Sequence, residues 1–205
     1  MKQSFKLFTF KGAPVELSIW FFLIFLIAPV SWSIAIFISV LVHELAHAYI
    51  ANKRGWKVFG IKLDLFSGSA SIDSNIPERD SIPVVAAGPI SNLLLAFITL
   101  SIYIPLYSVN PILDRFLNDL FTVNIILFIF NILPIYPMDG GRILKDVLFL
   151  KMKNRKLAKK ISGSVSLIFS IALLTLSLIT LSYIIIIFSI LFIYLSLKEL
   201  EIIKD

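Results

Sequence analysis

The two histidines of this chain, His43 and His47, stand four residues apart, and Glu44 directly follows the first of them. They lie in a run that is otherwise apolar from residue 33 to residue 51. On a helix, residues i and i+4 share one face, so both imidazoles would point the same way, an arrangement that binds zinc and holds a carboxylate beside its water. Imidazoles without partners in apolar surroundings would cost several kcal/mol. The pattern therefore predicts one Zn²⁺ per chain, with His43 and His47 as ligands.

The composition determines the kind of protein that must position this motif. The chain has 205 residues, of which 58% are hydrophobic and 16% are charged, and its mean hydropathy is +0.92. Soluble domains carry about half apolar and about a quarter charged residues, so the composition predicts an integral membrane protein. The net charge of +6 does not indicate nucleic acid, because the basic residues lie in the gaps between apolar runs.

The predicted fold is an all-α polytopic membrane protein with six transmembrane helices, treated as a single domain over residues 1–205 without a soluble regulatory domain. The apolar runs place these helices at about 17–30, 33–52, 83–109, 115–133, 161–179 and 182–198. Residues 61–66 alternate like a strand and residues 67–71, which include Gly68, are small, so we expect a small re-entrant strand or hairpin between the second and third helices.

The distribution of positive charge predicts how these helices cross the bilayer. Six spans place every lysine and arginine except Arg115 on one side, together with both termini. By the positive-inside rule that side is the cytoplasm, which puts the histidines in the cytoplasmic half of the second helix. The composition is compatible with a bacterial cytoplasmic membrane.

The third zinc ligand has to be a carboxylate, because the chain has no cysteine and no further histidine. Four carboxylates lie inside or against apolar sequence: Glu16, Asp119, Asp139 and Glu199. Glu16 and Glu199 are predicted at helix ends on the basic side, and Asp119 on the opposite side. Asp139 matches the histidines in depth, although an aspartate before two glycines is also a common turn residue.

Further residues resemble a known family. The stretch from Asn131 through Pro134 and Pro137 to Asp139 and Gly140, after a helix with the HExxH pattern, resembles the Asn-Pro-Asp-Gly signature of the site-2 proteases. These are intramembrane zinc metalloproteases of peptidase family M50. Residues 88–92 look like the small-residue motif that members carry on the helix between the two. The resemblance covers about residues 42–144, and the six helices agree with the sporulation-type subgroup that lacks PDZ and CBS domains.

This resemblance implies a role for each matching residue. His43, His47 and Asp139 would bind zinc, Glu44 would be the general base, and Asn131 and Pro137 would shape the loop that carries Asp139. A hydrogen bond to the oxyanion or to substrate backbone is expected from Asn92 or Asn131, and for Asn92 the alternative is a helix-packing amide beside Gly88. The strand at Gly68 is expected to pair with an unwound substrate segment, and the alternative for this region is a cytoplasmic connecting loop.

The resulting prediction is an intramembrane endopeptidase that cleaves a single-span membrane protein, of type II orientation, within or near its transmembrane segment. Lipid is an expected partner, as is an inhibitory or regulatory membrane protein of unspecified kind, and nucleic acid is not. The main alternative is a transporter or a metal-binding membrane protein without enzymatic activity, in which intramembrane His, Glu and Asp mark an ion path. The second alternative is a metalloprotease that uses Glu199 as its third zinc ligand.

Overall fold

The computed structural model describes residues 4–64 and 68–202. It consists of two compact units, the first formed by residues 1–76 and 87–129 and the second by residues 77–86 and 130–205. The strands are β1 (Ser4–Phe10), β2 (Ala13–Ser18), β3 (Val58–Leu63) and β4 (Gly68–Ile72). The helices are α1 (Ile24–Ile27), α2 (Val30–Lys53), α3 (Glu78–Leu106), α4 (Pro111–Ile132), α5 (Asp139–Met152), α6 (Arg155–Ile179) and α7 (Tyr183–Glu199).

The four strands form one sheet in the first unit, in the order β1-β2-β3-β4. β1 and β2 are antiparallel, β2 and β3 are parallel with Val15 opposite Ile61, and β3 and β4 are antiparallel. Parallel neighbours need a long crossover connection, and α1 and α2 supply it. One face of the sheet packs on α2 through a cluster of buried apolar side chains: Val15, Leu17, Phe21, Ala48, Ile61 and Leu63.

The predicted first helix at 17–30 is wrong. Residues up to Ser18 belong to β2, Ile19–Leu23 form a 3₁₀ turn, and α1 is a single helical turn, Ile24–Ile27. The apolar run from Leu17 contains only 12 residues before Pro29, and its first part is extended because it pairs with β3. The hydroxyl of Ser18 accepts a hydrogen bond from the backbone N–H of Trp20 at 3.3 Å, which starts the 3₁₀ turn.

The region between α2 and α3 forms the hairpin β3–β4. The predicted strand at residues 61–66 coincides with β3 up to Leu63, and the small residues from Gly68 onwards form β4. Leu65, Phe66 and Ser67, which also belong to the predicted segments, lie outside the described residues. The sequence did not predict that two N-terminal strands extend this hairpin to a four-stranded sheet.

The protein is mostly helical and membrane-embedded. Within the described residues, α2, α3 and α6 are long and apolar enough to cross a bilayer. The predicted helices at 33–52, 83–109, 115–133, 161–179 and 182–198 correspond to α2, α3, α4, α6 and α7. α5 corresponds to none of the six predicted helices, and the number of spans stays a prediction.

Candidate metal centre

His43 and His47 converge on one point in the middle of the first unit. Both are on α2, one helical turn apart, and their Nε2 atoms are 3.0 Å apart. Glu44 joins them, and the ligand atoms of the three residues all lie within 4.8 Å of one another. Each of the three side chains is buried, at 7%, 5% and 7% exposure for His43, Glu44 and His47. Helical periodicity alone produces this grouping.

Gly88 of α3 leaves the space in front of the two imidazoles open. A Cβ atom built on Gly88 would lie 2.5 Å from Nε2 of His43 and would also overlap Nε2 and Cε1 of His47. A distance of 2.5 Å is far below van der Waals contact, so any side chain at this position would occupy the point on which the two nitrogens converge. The glycine of the small-residue motif therefore has a specific steric role beside the histidines.

Gly68 provides a second close approach, this time to Glu44. Gly68 is the first residue of the edge strand β4. A Cβ atom on it would lie 2.6 Å from Cδ of Glu44 and would overlap Cγ and Oε1 as well. The backbone of β4 therefore lies directly against the Glu44 carboxyl group, which places the edge of the sheet beside the candidate base.

Asn92 contacts the other side of His43. Its Oδ1 lies 2.5 Å from Nδ1 of His43, and its Nδ2 donates to the backbone oxygen of Ser39 at 3.2 Å and to Oδ1 of Asn124 at 2.9 Å. All of these side chains are fully buried except His43, which is 7% exposed. The amide of Asn92, from which the sequence predicts a hydrogen bond to the oxyanion or the substrate, contacts His43, Ser39 and Asn124 in the structure.

Ser39 and Asn124 are the residues that sequence reasoning missed. Asn124 lies in the middle of the apolar helix α4, where a buried amide is costly without partners. The cost of burying this amide indicates from the sequence that it has hydrogen-bond partners, but it does not identify them.

Asp139 lies in the second unit and is the first residue of α5. It is buried at 6% exposure, and its Oδ1 is 3.9 Å from the guanidinium of Arg142. The two glycines after it are not turn glycines. A Cβ on Gly140 would overlap the carbonyl oxygens at the end of α4, and one on Gly141 would lie 2.7 Å from the carbonyl of Ile135. The two glycines therefore allow the N-terminal turn of α5 to pack directly against the backbone that precedes it in the chain. This turn carries the buried carboxylate of Asp139.

The loop before Asp139 is held by the last two helices. The backbone N–H of Tyr136 donates to Oγ of Ser166 on α6 at 2.8 Å, and this hydroxyl also bonds to Oγ of Ser196 on α7 at 2.6 Å. Pro137 follows Tyr136 through a cis peptide bond, and Asn131 lies in the last turn of α4. Both residues expected to shape the loop therefore belong to the segment that leads to Asp139.

A cavity of about 470 Å³ opens beside this loop in the second unit, lined by Ser81, Tyr136, Pro137, Arg142, Lys145 and Asp146. Burial raises the pKa of Asp146 above its usual 3.8, and a hydrogen bond with Ser81 opposes that shift. Lys145 lies over the ring of Tyr136 and pairs with Glu199 at 3.3 Å. The cavity wall is thus polar and carries charges of both signs.

The remaining carboxylates considered as ligands have other surroundings. Glu16 on β2 accepts a hydrogen bond from Ser4 at 2.7 Å, and Glu199 forms the ion pair with Lys145. Asp119 on α4 is buried at 5% exposure, and its Oδ2 has no hydrogen-bond partner among the described residues. The described cluster that could hold a metal consists of His43, Glu44 and His47.

The donor set fits zinc. Two imidazole nitrogens bound to one zinc at about 2.0–2.1 Å each lie roughly 3–3.5 Å apart, and the 3.0 Å between the Nε2 atoms agrees with this. Nitrogen and carboxylate oxygen are the ligands that a catalytic zinc site uses when thiolates are absent. The space left by Gly88 lies at the same point. His43 and His47 can therefore hold a zinc ion without rearrangement of the helices.

Comparison with known proteins gives the family. A model of peptidase family M50 matches residues 31–112 and 107–177. A zinc metalloprotease of Methanocaldococcus jannaschii is 34% identical over 213 residues, covering 97% of this chain and 61% of that protein. Stage IV sporulation protein FB of Bacillus subtilis is 29% identical over 143 residues, covering 68% of this chain and 48% of its own length.

A solved structure is similar over nearly the whole chain. A site-2 protease from Methanocaldococcus jannaschii matches with a TM-score of 0.68 and 27% identity, covering 98% of this chain and 97% of the other. This chain spans about three fifths of the length of the similar zinc metalloprotease from the same organism. Because the family model matches well over half of the residues, on both sides of the histidine pair, the chain belongs to peptidase family M50.

Proposed function

We propose that this chain is a zinc-dependent intramembrane endopeptidase of the site-2 type, which hydrolyses a peptide bond within or near the transmembrane segment of a membrane protein. The observation that carries the proposal is the convergence of His43, His47 and Glu44 on a buried point of an apolar helix, with Gly88 keeping that point open. Family membership and the similarity to a site-2 protease structure support it.

The zinc ligands in this proposal are His43, His47 and Asp139. Zinc held by these residues would lower the pKa of a bound water toward about 7 and would polarise the scissile carbonyl group. The support for Asp139 is its burial at the start of α5 and its place in the Asn-Pro-Asp-Gly signature. Asn131 and Pro137 are proposed to shape the loop before it, and Asn131 is the remaining candidate for a hydrogen bond to the oxyanion.

Glu44 is the proposed general base. Its carboxylate takes one proton from the attacking water and delivers it to the leaving amine nitrogen, so that the C–N bond breaks and a carboxylic acid and an amine are released. Its burial beside the two histidines supports this assignment, because a carboxylate there can reach a water at the open point in front of them. Proton transfer of this kind contributes about 10²–10⁴-fold to the rate.

β4 is the proposed binding site for the substrate backbone. A peptide bond in a helix is shielded by its own hydrogen bonds, so a substrate must unwind before it is cut. β4 is at the edge of the sheet, and Gly68 brings it against Glu44. An unwound segment that adds to β4 as a fifth strand would form new backbone hydrogen bonds and pass next to the base.

We further propose that the termini and the active site face the cytoplasmic side of a bacterial cytoplasmic membrane. The parallel pairing of β2 with β3 supports one part of this proposal, because it requires the N-terminal segment and the segment after α2 to lie at the same end of that helix. The proposed substrate is a single-span protein of type II orientation. Assignment to the sporulation-type subgroup is supported by the similarity to stage IV sporulation protein FB.

Reconstituted protein tests this function. Wild type, Glu44→Gln and Glu16→Gln are placed in liposomes with single-span substrates of both orientations, and cleavage and zinc content are measured. Glu16 is the matched control, since it is a glutamate on β2 that bonds to Ser4. We expect Glu44→Gln to keep zinc and lose at least about 100-fold in cleavage rate, and Glu16→Gln to behave as wild type. Equal cleavage by Glu44→Gln and wild type would refute the proposal.

A further inference from the structure

A chain of buried hydrogen bonds leads away from His43 through three helices. It passes from Nδ1 of His43 on α2 to Asn92 on α3, from Asn92 to Asn124 on α4, and from Asn124 back to the hydroxyl of Ser39 on α2 at 2.9 Å. The two asparagines and the serine are fully buried, so no solvent can replace these partners. Which atom donates in each of these hydrogen bonds depends on the orientation of the two side-chain amides.

Two backbone carbonyl groups fix both amides. Nδ2 of Asn92 faces the backbone oxygen of Ser39 at 3.2 Å, and Nδ2 of Asn124 faces that of Leu120 at 2.8 Å. A carbonyl oxygen accepts hydrogen bonds and cannot donate one. If Asn92 were turned over, its Oδ1 would face two acceptors, the Ser39 carbonyl and Oδ1 of Asn124. Such a pair of buried acceptor contacts is costly, so each amide has one stable orientation.

This orientation decides the tautomer of His43. With Nδ2 of Asn92 held by Ser39 and Asn124, only Oδ1 is left to face Nδ1 of His43. Oδ1 is an acceptor, so Nδ1 must carry the proton. In the neutral ring, Nε2 then presents its lone pair toward Nε2 of His47 and the space kept open by Gly88. The partner of the second ring nitrogen sets the tautomer and the orientation of a metal-binding histidine.

We infer that Asn92 and Asn124 are positioning residues for zinc. Asn92 holds His43 in the Nδ1–H tautomer. Asn124 contacts Asn92 but not His43 in this chain of bonds, and it keeps the Asn92 amide from turning over. This inference rests on the proposed zinc site. It assigns Asn124 an effect on metal binding from a neighbouring helix, although its side chain bonds to Asn92, Ser39 and Leu120 rather than to His43 within the described residues.

Zinc affinity measured by chelator competition on detergent-purified protein tests the inference. Asn92→Leu and Asn124→Leu remove the amides at similar volume. Thr99→Val is the matched control on α3, because Thr99 is buried at 2% exposure and its hydroxyl donates within its own helix, to the Leu95 carbonyl at 2.7 Å. We expect the zinc dissociation constant to rise by about 10–100-fold for Asn92→Leu, by about tenfold for Asn124→Leu, and to stay unchanged for Thr99→Val.

Thermal unfolding of the zinc-free proteins separates positioning from general stability. A purely structural role would lower the unfolding temperature of Asn124→Leu and leave its zinc affinity equal to that of Thr99→Val, and this result would overturn the inference. Failure of the wild type itself to bind zinc would instead refute the proposed function. The two failures are therefore distinguishable.

A measurement on the wild type keeps the inference falsifiable if the leucine variants do not fold. The chain has two histidines, so the ¹⁵N spectrum of histidine-labelled, zinc-free protein contains four ring nitrogens, and His47→Gln assigns those of His43. The inference predicts that Nδ1 of His43 carries a proton. A spectrum in which His43 carries its proton on Nε2 alone would overturn it.

Discussion

Replacement of Gly88 by alanine should disable the metal centre through a single methyl group. The added Cβ would lie 2.5 Å from Nε2 of His43 and would also overlap the imidazole of His47. Non-bonded atoms of this kind are in contact at about 3.5 Å, so the methyl group must move roughly 1 Å away from the first nitrogen alone. Because both imidazoles are on the same helix, one rotamer change cannot relieve both overlaps.

The expected loss of zinc affinity in Gly88→Ala follows from how accurately the ligands of a zinc ion must be placed. Metal–ligand distances are kept to within about 0.2 Å, and the required displacement is about five times larger. Changes that disturb only the surroundings of the ligands already cost about 10–100-fold in metal affinity. We therefore expect Gly88→Ala to raise the zinc dissociation constant by at least about 100-fold and to abolish cleavage.

Chelator competition and metal analysis of the purified protein measure this effect. Gly60→Ala is the control, since Gly60 is also a glycine of the first unit, and a Cβ there would lie at an ordinary 3.6 Å from the Pro14 carbonyl oxygen. The control should retain the zinc affinity and the activity of the wild type. Full zinc occupancy in Gly88→Ala at the chelator concentration that the wild type tolerates would refute the assignment of the open space to the metal.

Three further changes have distinct expected outcomes. Gly68→Ala should keep zinc but reduce cleavage at least about tenfold in a liposome assay, because its Cβ would overlap Glu44 and displace the edge strand. Asp146→Asn should flatten the pH dependence of unfolding: burial raises the pKa of Asp146 in the folded state, so the wild type loses stability as the pH rises above about 3.8, which pH-dependent thermal melts would detect. Ser166→Ala should lower the free energy of unfolding by about 1–3 kcal/mol in denaturant titrations, because it leaves the Tyr136 N–H without its acceptor.

The central part of the site was predictable because it is local. The positions of His43, Glu44 and His47 relative to one another follow from helical periodicity, and the helix itself follows from the apolar run. The resemblance to a known signature singled out Asp139 among the carboxylates. From the sequence alone, an aspartate before two glycines could also be a turn residue. In the structure Asp139 is the first residue of α5, and the two glycines after it allow close packing.

The rest depended on contacts between distant parts of the chain. Asn92 meets His43 across 49 positions of sequence, and Asn124 meets Ser39 across 85, so no local pattern reveals either pair. The N-terminal apolar run was assigned to a helix because hydropathy cannot show that β2 pairs with β3 on the far side of α2. The steric roles of Gly68 and Gly88 likewise depend on the three-dimensional approach of their backbones to side chains of α2.

Identification of the cleaved bond tests the central claim most directly. The purified protein is incubated in liposomes with a single-span substrate in water enriched in ¹⁸O, and the products are analysed by mass spectrometry. The proposed function predicts a new carboxyl terminus within or next to the apolar span that carries one ¹⁸O atom, and its loss in Glu44→Gln. Cleavage confined to a loop far from the span, or cleavage at the span that persists at the wild-type rate in Glu44→Gln, would contradict it.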